Sequence, residues 1–362
     1  MNDESYIKLT LELAKKGIGN VSPNPLVGAV IIKNEKIIGA GFHEKFGSNH
    51  AEVNALLNAK ESVEGSTLYV NLEPCSHFGK TPPCVNKIIE SKIKRVVIGS
   101  LDPNPLVSGN GIKKLEEAGL EVKYGVLTQE CAEVNKFFFK YITNGIPYVT
   151  LKVAQTIDAK IADNHFNSKW ITSAESRTFV HGLRSEYDAV LVGKNTVIKD
   201  EPSLTVRHVE GRNPKRIILD SNLSLSLRHQ VFNSTNLSEV IIITSKDSKS
   251  KEKKIKKFNE LGIKILFCKT EKYGRISLKN ALKKLAKENI SSILVEGGSK
   301  VFSSFIKNKL FDELIVFVGP KLMGEGICSV SNIGINSIKK PHKLFLKEAL
   351  IVGGDAMLNY RV

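Results

Sequence analysis

The strongest constraint on the fold is a repeated order of strand-like and helix-like segments that is interrupted once along the chain. In the first part, apolar runs such as STLYVNLEP and RVVIGS alternate with segments of helical spacing such as GNGIKKLEEAG. Gly and Pro in NGIPY, from Asn144 to Tyr148, break this order before a new series of strands begins. Strands that are mostly followed by helices favour layered α/β domains.

The interruption divides the 362 residues into two parts, each long enough to bury a core of its own. After it, strand-like runs such as AVLVGKNTV, EVIIITS and SSILVEGG recur with helical segments between them. We therefore predict two α/β domains, at residues 1–145 and 146–362.

Composition and the first residues indicate a globular protein of the cytoplasm. The sequence is 41% hydrophobic and 25% charged. It has no run of about 18 apolar residues, which a membrane-spanning helix would require, and MNDESYIKLT lacks the apolar centre of a signal peptide. We expect no membrane partner.

The charge balance favours anionic partners without choosing among them. The chain has 53 Lys and Arg against 37 Asp and Glu, a net charge of +16, which suits phosphorylated metabolites, nucleotides or nucleic acid. Much of the excess is lysine in segments such as KDSKSKEKKIKKFNE, where aromatic residues and arginine are scarce. We interpret this segment as the solvated face of a helix rather than a nucleic-acid-binding surface.

A histidine and a glutamate open the predicted helix in NHAEVNALLNA, which begins at Asn49. One interpretation is an ordinary amphipathic helix, because the free N–H groups of the first turn favour an acid there. The other is a metal ligand, His50, followed two residues later by a proton carrier, Glu52.

Two cysteines in LEPCSHFGKTPPC favour the metal interpretation. His50, Cys75 and Cys84 would give a tetrahedral zinc ion three protein ligands and leave the fourth position for an activated water. Glu52 could then move protons, as in nucleobase deaminases. Their usual motif has two residues between the cysteines, whereas eight separate them here.

The other three cysteines are predicted to be buried and unpaired. An odd total of five at scattered positions does not suit a disulfide framework and fits a reducing compartment. Cys131, Cys268 and Cys328 lie in apolar or strand-like surroundings, which favours packing as their role.

Longer stretches carry a specific resemblance to a known family. They include SPNPLVGAVI, GFHEKFGSNHAEVNAL and LYVNLEPCSHFGKTPPC in the first part, and LKVAQTIDAKIA, SKWITSAESRTFVHGLRSEYDAVLVGKNTV and LVEGGSKVFSSFI in the second. Over nearly its whole length the chain resembles the bifunctional riboflavin-biosynthesis deaminase/reductases. The resemblance implies an N-terminal cytidine-deaminase-like three-layer α/β domain and a C-terminal dihydrofolate-reductase-like α/β domain.

The same resemblance implies two consecutive reactions on one free metabolite. Zinc, one ion per chain, would serve hydrolytic deamination of a diaminopyrimidinone ribosyl phosphate, and NADPH would then reduce the ribosyl group to ribityl. The implied partner is this small phosphorylated pyrimidine, with no nucleic acid and no membrane; the sequence allows a homo-oligomer. It does not identify the residue that reads the 2′-phosphate of NADPH.

Carried over residue by residue, the resemblance also implies the site residues. In the first domain the zinc ligands are His50, Cys75 and Cys84, the catalytic residue is Glu52, and the substrate residues are Asn24, His43, His77 and Lys80. In the second domain the cofactor residues are Ala154, Trp170, Thr196, Asp200, Ser221, Gly298, Ser299, Lys300, Val301, Phe302, Ser303 and Ser304. The substrate residues there are Ser168, Arg184, Leu204, Arg207 and Glu296.

Residue chemistry supports some of these roles and leaves alternatives open for others. The two glycines of VEGGSKVFSSFI precede a predicted helix, whose N-terminus could meet a phosphate. Arg184 and Arg207 could grip a phosphate with paired donors, or lie unpaired on the surface. Trp170 could form a flat apolar wall or belong to the core.

Two positions depart from the family pattern, Ala159 where glycine is usual and Glu201 where aspartate or asparagine is more familiar.

Two functions of other classes remain open at this point. One is a nucleic-acid-associated deaminase whose basic second domain is a binding module. The other is a metal-stabilised protein without catalytic activity. The long cysteine spacing and the EGG segment disfavour the first, and the missing fourth ligand disfavours the second.

Overall fold

The computed structural model of the chain describes residues 2–76, 82–105, 107–233 and 236–362. The chain divides into two compact units, Met1–Gly145 and Ile146–Val362. Among the described residues, no helix combines the length and the apolar character that crossing a bilayer requires.

The first unit mixes helices and strands along the chain. Its helices are α1 (Asp3–Lys15), α2 (Ala51–Leu57), α3 (Cys84–Glu90), α4 (Asn110–Glu117), α5 (Thr128–Val134) and α6 (Lys136–Asn144). Its strands are β1 (Gly28–Lys33), β2 (Lys36–Phe42), β3 (Thr67–Leu72), β4 (Arg95–Ser100) and β5 (Glu121–Tyr124).

These strands form one sheet in the order β2-β1-β3-β4-β5. β1 is antiparallel to β2 and β3, whereas β3, β4 and β5 run parallel. Alternate residues of a strand point to opposite faces, so the sheet contributes to two clusters. Ile31 packs in one cluster with Ala55 of α2 and Val85 of α3, and Val30 packs in the other with Ile7 of α1. The first unit is therefore a three-layer α/β/α domain, as predicted.

The second unit begins with β6 (Tyr148–Thr156) and ends with a hairpin. Its other strands are β7 (Lys160–Ala162), β8 (Ala189–Gly193), β9 (Lys215–Leu219), β10 (Val240–Ser245), β11 (Lys264–Cys268), β12 (Ser292–Gly297), β13 (Glu313–Gly319), β14 (Ile327–Cys328), β15 (Phe345–Val352) and β16 (Asp355–Arg361). Its helices are α7 (Ala174–Glu186), α8 (Lys194–Asp200), α9 (Glu252–Glu260), α10 (Leu278–Ala286) and α11 (Ser299–Lys307).

Nine of these strands form a mixed sheet in the order β11-β10-β9-β8-β12-β6-β13-β16-β15. Neighbours from β11 to β13 are parallel, and β16 and β15 are added antiparallel at the edge. On one face, Leu151 packs with Leu282 of α10 and Phe305 of α11. On the other, Phe317 packs with Val180 of α7. Helices thus cover both faces, which suits a sheet of parallel strands.

The hairpin of β15 and β16 was not predicted from the sequence patterns. Its two strands pair antiparallel around Gly353 and Gly354. Residues 345–351 of β15 are all exposed, so this strand has no alternation of buried and exposed positions. The Gly-Gly pair between two short runs was the available signal.

The prediction of buried cysteines is correct for two positions and wrong for the third. Cys131 and Cys268 are 0% exposed. Cys328 is exposed because β14 is a two-residue strand that pairs only with β7, and its Sγ accepts a hydrogen bond from Lys160 at 3.2 Å.

The lysine-rich segment forms α9, whose one buried residue is Phe258. Lys256 in this helix has a side chain that is 80% exposed. The lysines of α9 therefore lie on its solvent side, as expected for a helix that contacts its domain through a narrow stripe.

Candidate active sites

The first unit brings His50, Cys75 and Cys84 together although they lie far apart in the sequence. His50 Nδ1 is 3.1 Å from Cys84 Sγ and 3.5 Å from Cys75 Sγ. All three ligand atoms lie within 4.8 Å of one another.

The starts of two helices place these side chains. His50 is the N-cap residue of α2, and Cys84 is the first residue of α3. α2 lies directly on β2 because Gly41 has no side chain; a Cβ there would be 2.4 Å from the backbone nitrogen of Ala55. The Cys84 amide donates to Cys75 Sγ at 3.3 Å, which ties the loop after β3 to the start of α3.

The loop that carries Cys75 is anchored by Glu73, whose importance was not recognised from the sequence. Glu73 is 3% exposed, and its carboxylate accepts backbone N–H bonds from Gly109 at 3.0 Å and Gly111 at 2.9 Å. These bonds hold the start of α4 against the ligand loop. The only sequence signal was an acid directly after an otherwise apolar strand.

Glu52 lies in the first turn of α2, beside the three ligands, and is 3% exposed. Its Oε2 atom is buried and has no hydrogen-bond partner among the described residues. Burial raises the pKa of this carboxyl, and the neighbouring His50 opposes the rise. An acid that served only the helix dipole could remain in water, so this burial favours a role in proton transfer.

The donor set fits zinc. Two sulfurs and an imidazole nitrogen are ligands that zinc prefers, and bonds of about 2.0–2.3 Å around a tetrahedral ion separate its ligand atoms by roughly 3.5 Å. The nitrogen–sulfur distances of 3.1 and 3.5 Å are close to that separation. The hydrogen bond from Cys84 and a further one from His50 lower the pKa of Cys75 to about 4. One thiolate is thus available near neutral pH, as metal binding requires.

His43 and Asn24 lie next to this cluster. The His43 ring is 5.3 Å from the His50 ring, its Nδ1 is 2.9 Å from the Asn49 carbonyl, and its Nε2 is 3.2 Å from Asn24 Nδ2. The carbonyl requires N–H at Nδ1 and the amide requires an acceptor at Nε2, so the ring is neutral. Burial lowers the pKa of His43, which agrees with this state. The other two residues of the first unit that are predicted to bind substrate, His77 and Lys80, lie outside the described residues.

In the second unit, the predicted cofactor and substrate residues gather at one edge of the sheet. β6, β8, β9 and β12 are parallel, so their carboxyl ends share this edge, where open α/β sheets bind ligands. The edge carries Ala154 near the end of β6, Thr196 and Asp200 in α8, Ser221 after β9, and Glu296 in β12.

The turn between β12 and α11 fits a phosphate of NADPH. Gly298 has a φ of +92°, which disfavours a side chain, and a Cβ at Gly297 would lie 2.8 Å from Thr196 Cγ2. No side chain caps the first amides of α11. Backbone N–H groups at such an N-terminus bind anions.

Two residues of the predicted cofactor segment face inward. Phe302 is 4% exposed and belongs to the core. The Ser303 hydroxyl donates to the Ser299 carbonyl and accepts from the Ser331 amide at 2.8 Å. These side chains stabilise α11, so contact with a cofactor would come from the exposed start of the helix.

Arg184 and Glu296 form a buried ion pair. Arg184 Nε and Nη2 donate to the two carboxylate oxygens of Glu296 at 2.5 and 2.9 Å, and Nη1 donates to the Thr205 carbonyl at 3.0 Å. The side chains are 12% and 7% exposed. This pairing occupies the donor fork of Arg184 that the sequence predicts to hold a phosphate, because a buried cation needs a partner.

Lys152 adds a second cation to this pair and was not predicted from the sequence. It lies in β6 with its Nζ 5.8 Å from the Phe317 ring centroid. Burial lowers the pKa of Lys152, and the carboxylate of Glu296 opposes that change. A lysine inside an apolar strand was the available signal.

The segment that contains Leu204 and Arg207 is held against α7. The Arg207 amide donates to His181 Nδ1 and its guanidinium donates to Ser203 Oγ, both at 3.0 Å. Leu204 is 3% exposed and has a φ of +56°. These contacts fix the course of the segment beside Arg184, which bonds the carbonyl of residue 205.

We expect His181 to make the stability of this unit depend on pH. Burial and the neighbouring Arg184, His208 and Arg207 lower the pKa of His181 to about 4. In the folded state the His181 imidazole stays neutral until about pH 4, whereas in the unfolded chain it takes up a proton near pH 6.5. The free energy of unfolding therefore decreases as pH falls from about 6.5 towards 4. We expect a loss of roughly 1–3 kcal/mol.

The measurement compares the parent with His181→Gln, which keeps an acceptor for the Arg207 amide but does not titrate. Melting temperatures recorded between about pH 7.5 and 4.5 should fall less steeply for the variant. Equal slopes for both proteins would contradict the assignment to His181.

Trp170 lies on the surface, so the core alternative for it is wrong. The residue is 60% exposed, and the Arg177 guanidinium lies 4.2 Å from the ring centroid. Nearby in sequence, Ser168 Oγ donates to Asp200 Oδ1 at 3.0 Å. Burial raises the pKa of Asp200, and the Ser168 bond opposes this rise. A predicted substrate residue thus contacts a predicted cofactor residue.

The two departures from the family pattern both occupy left-handed backbone positions. Ala159 has a φ of +62° in the turn between β6 and β7, where a side chain costs about 1–2 kcal/mol. Glu201 has a φ of +43°, and its carboxylate bonds the Gln230 amide at 2.7 Å and His229 Nδ1 at 2.6 Å. Glu201 therefore has a structural task that the longer side chain can reach.

Comparison with known families covers both units. Residues 1–100 match the cytidine and deoxycytidylate deaminase zinc-binding region, and residues 147–358 match the RibD C-terminal domain. The riboflavin biosynthesis protein RibD of Aquifex aeolicus (strain VF5) is 50% identical over 360 residues, which cover 99% of this chain and 98% of that protein. The protein of the same name from Escherichia coli (strain K12) is 35% identical over 375 residues, 99% of each chain.

Solved structures agree over the whole length. A diaminohydroxyphosphoribosylaminopyrimidine deaminase/5-amino-6-(5-phosphoribosylamino)uracil reductase from Thermotoga maritima has a TM-score of 0.87 at 42% identity, covering 99% of this chain and 98% of that one. Acinetobacter baumannii RibD has a TM-score of 0.90 at 34% identity, with the same coverage. The predicted fold class, a deaminase-like α/β domain followed by a reductase α/β domain, is confirmed. The chain belongs to the RibD family, the bifunctional deaminase/reductases of riboflavin biosynthesis.

Proposed function

We propose that the first unit deaminates a diaminopyrimidinone ribosyl phosphate and that the second reduces the ribosyl group of the deaminated product to ribityl. The observation that carries the proposal is the convergence of His50, Cys75 and Cys84 beside Glu52, whose buried Oε2 has no partner among the described residues. The resemblance of residues 147–358 to the RibD C-terminal domain supports a reductase in place of a nucleic-acid-binding module.

Deamination needs a base and then an acid at one place. His50, Cys75 and Cys84 would hold a zinc ion, which would supply the Lewis acidity that activates water. Glu52, whose carboxyl lies beside the three ligands, would take a proton from the attacking water and return a proton to the departing amino group, which leaves as ammonia. Burial favours the protonated carboxyl, so the proton is readily held between these two steps.

Asn24 and His43 orient the ring of the substrate in this proposal. Neutral His43 accepts a hydrogen bond from the Asn24 amide nitrogen, which fixes the orientation of that amide. The amide oxygen of Asn24 is not used in this bond. A fixed amide presents one donor and one acceptor to the polar edge of a pyrimidine. This contact selects the ring and takes no part in proton transfer.

Reduction needs a hydride donor and a proton donor. NADPH supplies the hydride when bound. When the imine carbon of the open-chain ribosylamine is reduced, its nitrogen would need a proton from the protein or from water. The half-buried Lys152, whose ammonium interacts with Glu296 and Arg184, is our candidate for the proton source, because partial burial lowers its pKa and eases the loss of its proton.

Product analysis tests both units at once. The parent enzyme with the diaminopyrimidinone substrate should release ammonia without NADPH, and should yield the ribityl product only when NADPH is added. Cys84→Ser should lose most of its zinc, since one of three ligands is weakened, and should release little ammonia. NADPH oxidation with the already deaminated substrate should persist in this variant.

Zinc content by elemental analysis provides the second readout. Cys268→Ser, which changes a buried cysteine of the other unit, is the matched control and should retain about one zinc per chain. Full zinc retention in Cys84→Ser would show that the ligand set is wrong.

A further inference from the structure

A cavity of about 310 Å³ lies in the second unit, outside the set of residues assigned to either reaction. Four lysines and a histidine are among the residues that line it: Lys309, Lys339, Lys340, His342 and Lys343. We propose that this lysine cavity binds a small phosphomonoester that carries a ring. The site does not depend on the proposed function, because none of its residues takes part in that chemistry.

Three segments of the chain contribute to the lysine cavity. They are the link between α11 and β13, the segment 339–344 that leads into β15, and Val362 after β16. The Leu310 amide donates to the Phe305 carbonyl at 3.0 Å, and the Val362 amide donates to the Asp312 carbonyl at 3.3 Å. These bonds tie the link to the end of α11 on one side and to the end of β16 on the other.

The lysine cavity lies at the edge of the sheet opposite to the predicted cofactor and substrate residues. β13 runs parallel to β6, so α11 ends and β13 begins at the amino edge of the parallel strands. The glycine turn at Gly298 lies at the start of α11, whereas Lys309 lies beyond its end. The nine residues of α11 separate the two ends by about 14 Å. A phosphate bound at the glycine turn would therefore be remote from the cavity.

The four lysines have no anionic partner in the part of the chain that the structure describes. The side chains of Lys309, Lys339, Lys340 and Lys343 form neither a salt bridge nor a hydrogen bond there. Like charges that gather without a counter-charge repel one another, so a bound anion removes an electrostatic cost. All four lysines are exposed and can be reached from solvent.

The acids nearest to the link are engaged elsewhere. The Asp312 carboxylate accepts from the Val149 amide at 2.9 Å. Glu313 is 1% exposed and accepts from Asn359 Nδ2 at 2.8 Å. Neither acid lines the cavity, and a carboxylate on Val362 would offset only one of the four positive charges. The compensating anion must therefore come from a ligand.

The apolar lining and the volume indicate an organic phosphate rather than a bare ion. Phe311 and Leu344 line the cavity and pack against the core of the second unit. A volume of about 310 Å³ is at the lower end of the range for small-molecule sites. Lysine ammonium groups bind phosphate as point charges, and the apolar residues would contact a ring. A phosphomonoester on a small ring uses both parts of this lining.

Phenyl phosphate is the probe, because it joins one ring to one phosphomonoester and resembles neither the substrate nor NADPH. Isothermal titration calorimetry on the full chain compares it with inorganic phosphate and with phenol. The parent should bind phenyl phosphate tighter than either by roughly 10-fold or more, since each of these lacks one part of the interaction. The double variant Lys340→Gln and Lys343→Gln should bind phenyl phosphate weaker by roughly 10-fold or more. Its ammonia release and NADPH oxidation should equal those of the parent.

A matched control removes equal charge at another place. The variant Lys256→Gln and Lys257→Gln changes two exposed lysines of α9 and should bind phenyl phosphate as the parent does. Amine labelling of the parent, measured by peptide mass spectrometry, locates the ligand without any substitution. Phenyl phosphate should slow the labelling of Lys309 and Lys339 and leave that of Lys256 unchanged.

Four outcomes would overturn the proposal. Equal affinities for phenyl phosphate and inorganic phosphate would show a site for a bare ion only. An unchanged affinity in Lys340→Gln with Lys343→Gln, or equal losses in both double variants, would show that the lysine cavity does not hold the probe. Unchanged labelling of Lys309 and Lys339 at saturating phenyl phosphate would show the same in the unaltered protein.

Discussion

Glu52→Gln is expected to lower the rate of ammonia release by roughly 100-fold or more, the usual scale for a general acid–base group. Glutamine keeps the size of the side chain but cannot accept and return a proton. The buried Oε2 of Glu52 has no partner among the described residues, so its replacement breaks no internal hydrogen bond of that atom. Zinc content should be unchanged, because Glu52 is not one of the predicted zinc ligands.

The reductase reaction is the internal control for this variant. With the deaminated substrate supplied, Glu52→Gln should oxidise NADPH at nearly the parental rate, because its site residues lie in the other compact unit. A variant that lost both activities while circular dichroism and zinc content stayed normal would contradict two separate sites. A single shared site would then have to replace them.

Glu296→Ala is expected to abolish reduction and to lower the free energy of unfolding of the second unit by about 3–5 kcal/mol. Its carboxylate accepts from Nε and Nη2 of Arg184 and opposes the lowering of the Lys152 pKa by burial. Removal leaves the Arg184 guanidinium, 12% exposed, and the half-buried Lys152 without their anion, which costs more than the pair contributes when intact. Ammonia release by the first unit should remain.

Urea denaturation followed by tryptophan fluorescence measures this loss, because the one tryptophan of the chain, Trp170, lies in the second unit. Glu288→Ala is the control, since it breaks the more exposed pair of Glu288 with Lys264 and should cost under about 1 kcal/mol. Asp200→Ala leaves the ion pair intact and should lose reduction with little loss of stability. Equal destabilisation by Glu288→Ala and Glu296→Ala would show that the buried pair has no special importance.

The residues of the deaminase site were the part of the protein most easily predicted from the sequence. His50, Cys75 and Cys84 have few common roles besides metal binding when they occur together, and each stands at the start or end of a predicted element. The structure places all three within 4.8 Å of one another. The role of Glu73 was not predicted, because the four backbone N–H groups that donate to its carboxylate belong to a loop and a helix far along the chain.

The reductase site was harder to predict from the sequence, because its residues have no distinctive chemistry until they are paired in the fold. Arg184 and Glu296 are separated by 112 positions, and nothing in either local segment indicates the partner. Their contact depends on α7 covering the face of a sheet in which β12 lies between β8 and β6. Lys152 becomes a half-buried cation only through that same packing.

The sequence by itself determined the strands and helices with strong periodicity, the interruption near Asn144, and a candidate zinc site of three ligands with a glutamate beside it, because local backbone preference and ligand chemistry are properties of short segments. Only the tertiary structure decided the strand order, the exposure of Trp170 and Cys328, and the pairing of Arg184 with Glu296. Burial and charge pairing depend on which distant segments share a surface. That arrangement follows from packing the whole chain rather than from any one of its segments.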